Sequence, residues 1–96
     1  MKLVILPSAQ NDLADGFVFY ERQEAGLGGY FLDSLFSDID SLRLYVGVHR
    51  MVFEYHRLLS KRFPYAIYYS KKGETVSVWA VLDCRRDPQW VRRKLR

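Results

Sequence analysis

Between His56 and Arg93 the chain gathers most of the side chains that could do chemistry. His56 and Arg57 come first, then Lys61, Arg62 and Tyr65, then Trp79, Arg85 and Arg86, and finally Arg92 and Arg93. Guanidinium and ammonium groups grip carboxylates and phosphates, the arginine fork doing so bidentately. The phenol and the imidazole add groups that can move protons. The distribution of charge points the same way. Residues 1–56 hold four Lys/Arg against eight Asp/Glu, whereas residues 57–96 hold eleven against three, so the net charge of +4 conceals a strongly basic second half. A basic half on a small domain suits nucleic acid or an acidic protein partner, through steering and counterion release. The plainer alternative is a solvated basic face.

Other chemistries fit poorly. His49 and His56 do not recur with carboxylates at metal-ligand spacings such as HExxH or HxxxH, so no metal site is expected, and His49 reads as a loop residue. The single Cys84 can form no internal disulfide and reads as a small packed side chain. The glycine-rich Ala25–Gly29 stretch lacks the strand before it and the GxGxxG or Walker lysine that a phosphate loop needs, so it reads as a helix–helix connector and no cofactor is expected. Met1–Leu6 is apolar, but Pro7 ends it well short of a signal-peptide core or the roughly 20 residues of a membrane helix. The expectation is a cytoplasmic protein with no membrane segment.

The elements that must position these side chains follow from periodicity. Residues 1–96 form a single domain. Lys2–Leu6 reads as a strand buried on both faces or nearly so. Pro7 and Ser8 open a helix, with Ser8 as N-cap, and Ala9, Leu13, Phe17 and Tyr20 form its apolar face. Gly16 weakens that helix by about 1 kcal/mol relative to alanine. A second helix carries Gly28, Leu32, Leu35, Ile39, Leu42 and Val46 on one stripe, with Asp33, Asp38 and Asp40 largely away from it, and Gly47 ends it. Val48–Glu54 reads as loop or the ragged start of a strand. Tyr55–Arg62, Tyr65–Ser70 and Thr75–Asp83 read as an antiparallel meander with a turn at Lys71–Glu74. In the last strand, alternation puts Val76, Val78, Ala80 and Leu82 on one face and Ser77, Trp79, Val81 and Asp83 on the other. Gln89–Arg96 reads as a short basic helix or tail anchored by Trp90, which folds back over the second face or leaves it open for binding. The fold class is therefore α/β (α+β): a helical hairpin packed on a small antiparallel sheet, in the order β-α-α-β-β-β with a short C-terminal helix or tail.

This order, together with KRFPYAIYY and VLDCRRDP, resembles the RelE/ParE superfamily of toxins from type II toxin–antitoxin (plasmid stabilisation) modules. Leu6–Leu13 looks like that family's opening segment, and Phe31-Leu32-Asp33 like the start of its second helix. The resemblance spans nearly the whole chain and implies a helical hairpin on an antiparallel sheet, with a cognate antitoxin as partner. It also implies one of two targets, DNA gyrase for the ParE-like branch or mRNA in the ribosomal A site for the RelE-like branch, so it leaves open whether the protein is an enzyme. For a nuclease the catalytic candidates are Arg57, Lys61, Arg62, Tyr65 and Arg86, with His56 as a further proton carrier. For target or antitoxin binding they are His56, Arg57, Lys61, Arg62, Trp79, Arg85, Arg86, Arg92 and Arg93. The chain departs from the nuclease pattern: aligning Arg86 with the arginine that closes the last strand puts Ala66 at the usual strand arginine and leaves no tyrosine in the tail. Asp83 stands where many relatives carry histidine, and is expected to brace Arg85 or Arg86. The resemblance therefore implies a ParE-like toxin that acts by binding gyrase, with the mRNA endonuclease and an inactive binding module of the same fold as alternatives. A homodimer is a further arrangement open to it.

Overall fold

A computed structural model describes residues 1–95. Strand β1 (Lys2–Ile5) leads into helices α1 (Pro7–Gln23) and α2 (Leu27–Asp40) and the single turn α3 (Leu42–Tyr45). Strands β2 (Met51–Val52), β3 (Tyr55–Leu59), β4 (Tyr65–Lys72) and β5 (Thr75–Asp83) follow, then helix α4 (Pro88–Lys94). The five strands form one sheet in the order β1-β5-β4-β3-β2. The meander is antiparallel as expected, but β1 pairs in parallel with β5, so the sheet is mixed. It is also an edge strand and only half-buried. This corrects the expectation of a strand enclosed on both faces: with a single neighbour its apolar residues cover one flank of the helical layer.

The helical hairpin packs on one face of the sheet. Ala9, Leu13 and Tyr20 of α1 and Phe31, Leu35 and Ile39 of α2 meet Tyr65, Ile67 and Tyr69 of β4 and Val76, Val78 and Val81 of β5. Two glycines set how closely the helices approach. A Cβ on Gly16 would lie 2.5 Å from the Phe31 ring, and one on Gly28 would lie 2.7 Å from the Phe17 carbonyl oxygen. Gly16 is therefore more than a weak spot in α1, since it opens the space that Phe31 fills. At the hairpin turn the Glu21 carboxylate accepts the backbone N–H groups of Gly26 (3.0 Å) and Gly28 (2.9 Å), satisfying amides that the start of α2 would otherwise leave unpaired.

Three further expectations change. Ser8 does not cap α1, because Pro7 at the first helical turn needs no hydrogen bond and Leu6 takes the cap position without a side-chain bond. Asp38 is buried at 5% exposure and accepts the Ser60 hydroxyl at 2.6 Å, so one acidic residue of α2 turns inward, supplied with a donor by the end of the third strand. The second helix also stops at Asp40, with Leu42–Tyr45 forming a separate turn. β2 and β3 are joined by Phe53 and Glu54, both at positive φ (52° and 71°), which gives the Val48–Glu54 stretch a two-residue hairpin turn.

The alternation of β5 breaks at Trp79. Tyr68 pairs with Ala80 and Tyr69 with Val78, which leaves Trp79 as the extra residue of a β-bulge. Beyond it the faces exchange. Val76, Val78 and Val81 face the helical hairpin, while Ala80 and Leu82 join Ala66 and Tyr68 on the second face. There α4 folds back over the sheet, with Val91 buried at its centre and Trp90 and Leu95 at its margins, so the tail covers this face. Arg96 lies outside the described residues.

Candidate functional site

The site is organised by the ends of β4 and β5, which pair Tyr65 with Asp83. The hairpin turn of α1 and α2 reaches the same end of the sheet. Tyr20, Phe31, Phe63 and Tyr65 stack there, with ring centroids 4.9–6.2 Å apart. Phe63 is held between Tyr20 and Tyr30, which fixes the loop Ser60–Pro64 that carries the exposed Lys61 and Arg62. The stack sets Tyr65 beside Asp83, Arg85 and Arg86, three of these four among the residues singled out by sequence, while Lys61 and Arg62 are exposed on the loop that Phe63 anchors.

The two consecutive arginines have different roles. Arg85 grips Asp83 bidentately, Nε to Oδ1 at 3.0 Å and Nη2 to Oδ2 at 2.8 Å, while its backbone N–H donates to the same carboxylate at 2.9 Å. That contact holds Asp83 below the usual carboxylate range against the opposing effect of burial. It is the expected brace, made by Arg85. Arg86 turns away, lays its guanidinium 4.0 Å over the centre of the Trp90 ring and donates its backbone N–H to the Asp83 carbonyl at 3.2 Å. No carboxylate lies within ion-pair distance of Arg86 among the described residues.

A cleft of about 250 Å³ opens beside Arg86, between α1, the end of β5 and α4. Asp12, Phe19, Tyr65, Asp83, Trp90 and Lys94 contribute to its walls. Asp12 accepts the backbone N–H of Val81 at 3.0 Å, and burial raises its carboxyl above the usual range, opposed by that hydrogen bond and by Lys94. Tyr65 is pushed up to about 12 by burial and by the neighbouring Tyr20 and Asp83. Its proton is thus held tightly at neutral pH, which suits a hydrogen-bond donor better than a base. Sequence reading singled out neither Asp12 nor Lys94 for this region. The traceable signal was the four-residue spacing of Ser8 and Asp12, which puts two polar groups on one helix face.

The remaining candidates are dispersed. Arg57 lies on β3 opposite Tyr68, and its charge and hydrogen bond offset part of the rise that burial gives the Tyr68 phenol. His56 stacks on Tyr69 with centroids 5.0 Å apart and donates from Nδ1 to the His49 carbonyl at 2.7 Å. His49 in turn hydrogen-bonds the Tyr69 hydroxyl, which also accepts the Gly47 N–H at 3.0 Å. Both imidazoles therefore tie the segment after α3 to the sheet. Trp79, on the bulge, donates from its indole N–H to Ser70 Oγ at 2.8 Å. Arg92 sits 5.9 Å from the Phe53 ring, and Arg93 is exposed beside it on α4, whose C-terminal end meets Tyr55 through the Leu95 carbonyl, which accepts the Tyr55 hydroxyl at 3.2 Å. Among the described residues no group of three or more His, Cys, Asp or Glu side chains is placed to hold a metal ion. Among the described residues no helix is long and apolar enough to cross a membrane.

No protein-family model and no curated protein sequence matches the chain. Among solved structures, the chain is similar to one chain of the chromosomal ParDE TA system from P. aeruginosa, at 18% identity and a TM-score of 0.74, over 84% of this chain and 92% of that one. At that identity the likeness is one of architecture: this chain shares that chain's fold, with its helical hairpin on one face of a meander sheet.

Proposed function

We infer that this protein is the toxin of a type II toxin–antitoxin module, ParE-like in kind, which acts in the bacterial cytoplasm by binding DNA gyrase and is neutralised by a cognate antitoxin. The shared fold with a chain of a ParDE TA system supports the toxin assignment. Ala66 carries the choice of binding over cleavage. It occupies the strand position where RelE-like nucleases are expected to bring an arginine to the phosphate. Here it is fully buried in the second-face cluster that α4 covers with Val91. RNA cleavage needs cations on the phosphorane and a base for the 2′-hydroxyl. A methyl group under a helix supplies neither. The cations Lys61, Arg62 and Arg86, exposed at the same end of the sheet, suit contact with an acidic protein surface.

Induced expression in a bacterium tests this reading. The expected result is growth arrest with loss of negative plasmid supercoiling, intact transcripts, and rescue by an acidic partner encoded beside the gene. Combined substitution Lys61→Glu, Arg62→Glu and Arg86→Glu should relieve the arrest while leaving the circular dichroism spectrum unchanged. Transcripts cut at the ribosomal A site would replace this reading with the endonuclease. Normal growth with soluble, folded wild-type protein would remove the toxin assignment altogether.

A further inference from the structure

Helix α1 turns Ala9, Leu13, Gly16 and Tyr20 into the core, and the ordinary amphipathic pattern would make its opposite side polar. It is not. Val18 and Phe19, 42% and 50% exposed, stand at the middle of that side, and with Asp15, Arg22 and Gln23 they line a shallow depression on the surface. Asp15, Val18, Phe19 and Arg22 follow the spacing that brings side chains onto one helix face.

The charges at the two ends of this stripe are unused within the chain. Neither Asp15 nor Arg22 has an ion-pair partner among the described residues, and seven residues of helix hold them about 10 Å apart along the axis. Glu21, next to Arg22 in sequence, is committed to the Gly26 and Gly28 amides. The stripe therefore reads acid, apolar, apolar, base, with its midpoint between Val18 and Phe19. A two-fold axis through that midpoint maps the pattern onto its own complement. In an antiparallel pair of such helices, Asp15 of one copy stands level with Arg22 of the other, and Val18 with Phe19. A parallel pair would oppose Asp15 to Asp15. A peptide of uniform charge would match one end of the stripe and be repelled by the other. The occupant that fits both ends is the same helix reversed.

We propose that the outer face of α1 is a self-association surface on which two copies of this chain meet antiparallel, with Val18 and Phe19 at the centre and two reciprocal Asp15–Arg22 ion pairs at the ends. Shallow helix packing brings the axes to about 8–10 Å, within reach of both charged side chains. One helix against another covers much less than the roughly 1,600 Å² of a standard interface, so the dimer is weak, with a Kd of about 10–100 µM. The inference goes beyond the proposed function, which uses Lys61, Arg62 and Arg86 and leaves this face of α1 unassigned.

The test is sedimentation equilibrium of the full chain from about 5 µM to about 1 mM, with charge-reversal variants. The wild type should pass from monomer to dimer across that range. Asp15→Arg and Arg22→Asp each place like charges level at both ends of the pair, so each alone should weaken self-association at least about 10-fold. Mixed in equal amounts, the two variants should associate with each other about as well as the wild type does with itself, because every reversed charge then meets its opposite. Val18→Asp, at an exposed position, should give a monomer with an unchanged circular dichroism spectrum. A wild type that stays monomeric to about 1 mM would leave this face to another occupant and overturn the proposal. Single variants that self-associate as tightly as the wild type, or a mixture of the two folded variants that stays monomeric, would overturn it as well.

Discussion

Asp12 on α1 accepts the backbone N–H of Val81 at 3.0 Å, and one helical turn earlier Ser8 donates its hydroxyl to the carbonyl of Trp79 at 2.6 Å. The pairing of β1 with β5 ends at Ile5 and Val78, so the outer edge of β5 beyond that point has no strand beside it. The first turns of α1 take its place. Ser8 and Asp12, four residues apart on one helix face, supply the donor and the acceptor that a neighbouring strand would have offered. The same contact fixes the wall of the cleft that holds Arg86.

Replacing Asp12 tests this edge. Asp12→Ala leaves the Val81 N–H without its acceptor and should cost about 1–3 kcal/mol in urea unfolding. Asp12→Asn keeps an acceptor and sheds the buried charge, so it should cost much less. The pH dependence has a definite sign. Because burial raises the folded pKa above the ordinary 3.8, the folded state binds the proton more tightly, and this group's contribution to stability falls as pH rises through that window. Asp12→Asn should therefore gain on the wild type as pH is raised from below 3.8 to neutrality.

The Asp83–Arg85 pair has the opposite sign. Its hydrogen bonds lower the Asp83 pKa, so its stabilisation is present above 3.8 and is lost as pH falls through the folded value. With Arg85 59% exposed, a double-mutant cycle of Asp83→Asn and Arg85→Gln should return a coupling of about 1 kcal/mol or less near pH 7. That coupling should vanish at low pH. A coupling that survives full protonation of Asp83 would mean that the contact is not ionic.

Gly16→Ala sets two effects against each other. Alanine improves helix propensity by about 1 kcal/mol. Its methyl, however, meets the Phe31 ring at 2.5 Å, and Phe31 is fully buried. Forcing that ring aside should cost about 1–3 kcal/mol and outweigh the gain. Chemical denaturation should show net destabilisation, and the Tyr20 and Phe31 ring resonances should move.

Tyr69→Phe probes the anchor of the segment after α3. It removes the acceptor of the Gly47 N–H and the partner of His49, at a cost of about 1 kcal/mol. The Gly47 amide should exchange with solvent faster than in the wild type. Burial and the nearby His56 hold the His49 pKa below the ordinary 6.5. Its contribution to stability therefore rises with pH through that window and is lost below the folded value. An NMR titration of the His49 ring should place its midpoint under 6.5.

Much of the architecture could be read from periodicity, because local rules decide it. The stripe through Gly28, Leu35 and Ile39 marked α2, and the runs Tyr65–Ser70 and Thr75–Asp83 marked β4 and β5, with the connector at Ala25–Gly29 dictating a hairpin. The pairing of Asp83 with an arginine was also within reach, since the partners lie two residues apart. What the tertiary structure decided depends on contacts distant in sequence. Asp38 turned inward because Ser60 supplied a donor, and β1 became a half-buried edge because its neighbour was β5. The bulge at Trp79 exchanged the faces of β5, since a strand's alternation holds only while its partner stays in register. The cleft depended on the same kind of contact. Its aromatic wall, its capped strand edge and Arg86, stacked on Trp90 from the turn between β5 and α4, come from α1, β4, β5 and α4 and that turn, and no spacing along the chain encodes their meeting.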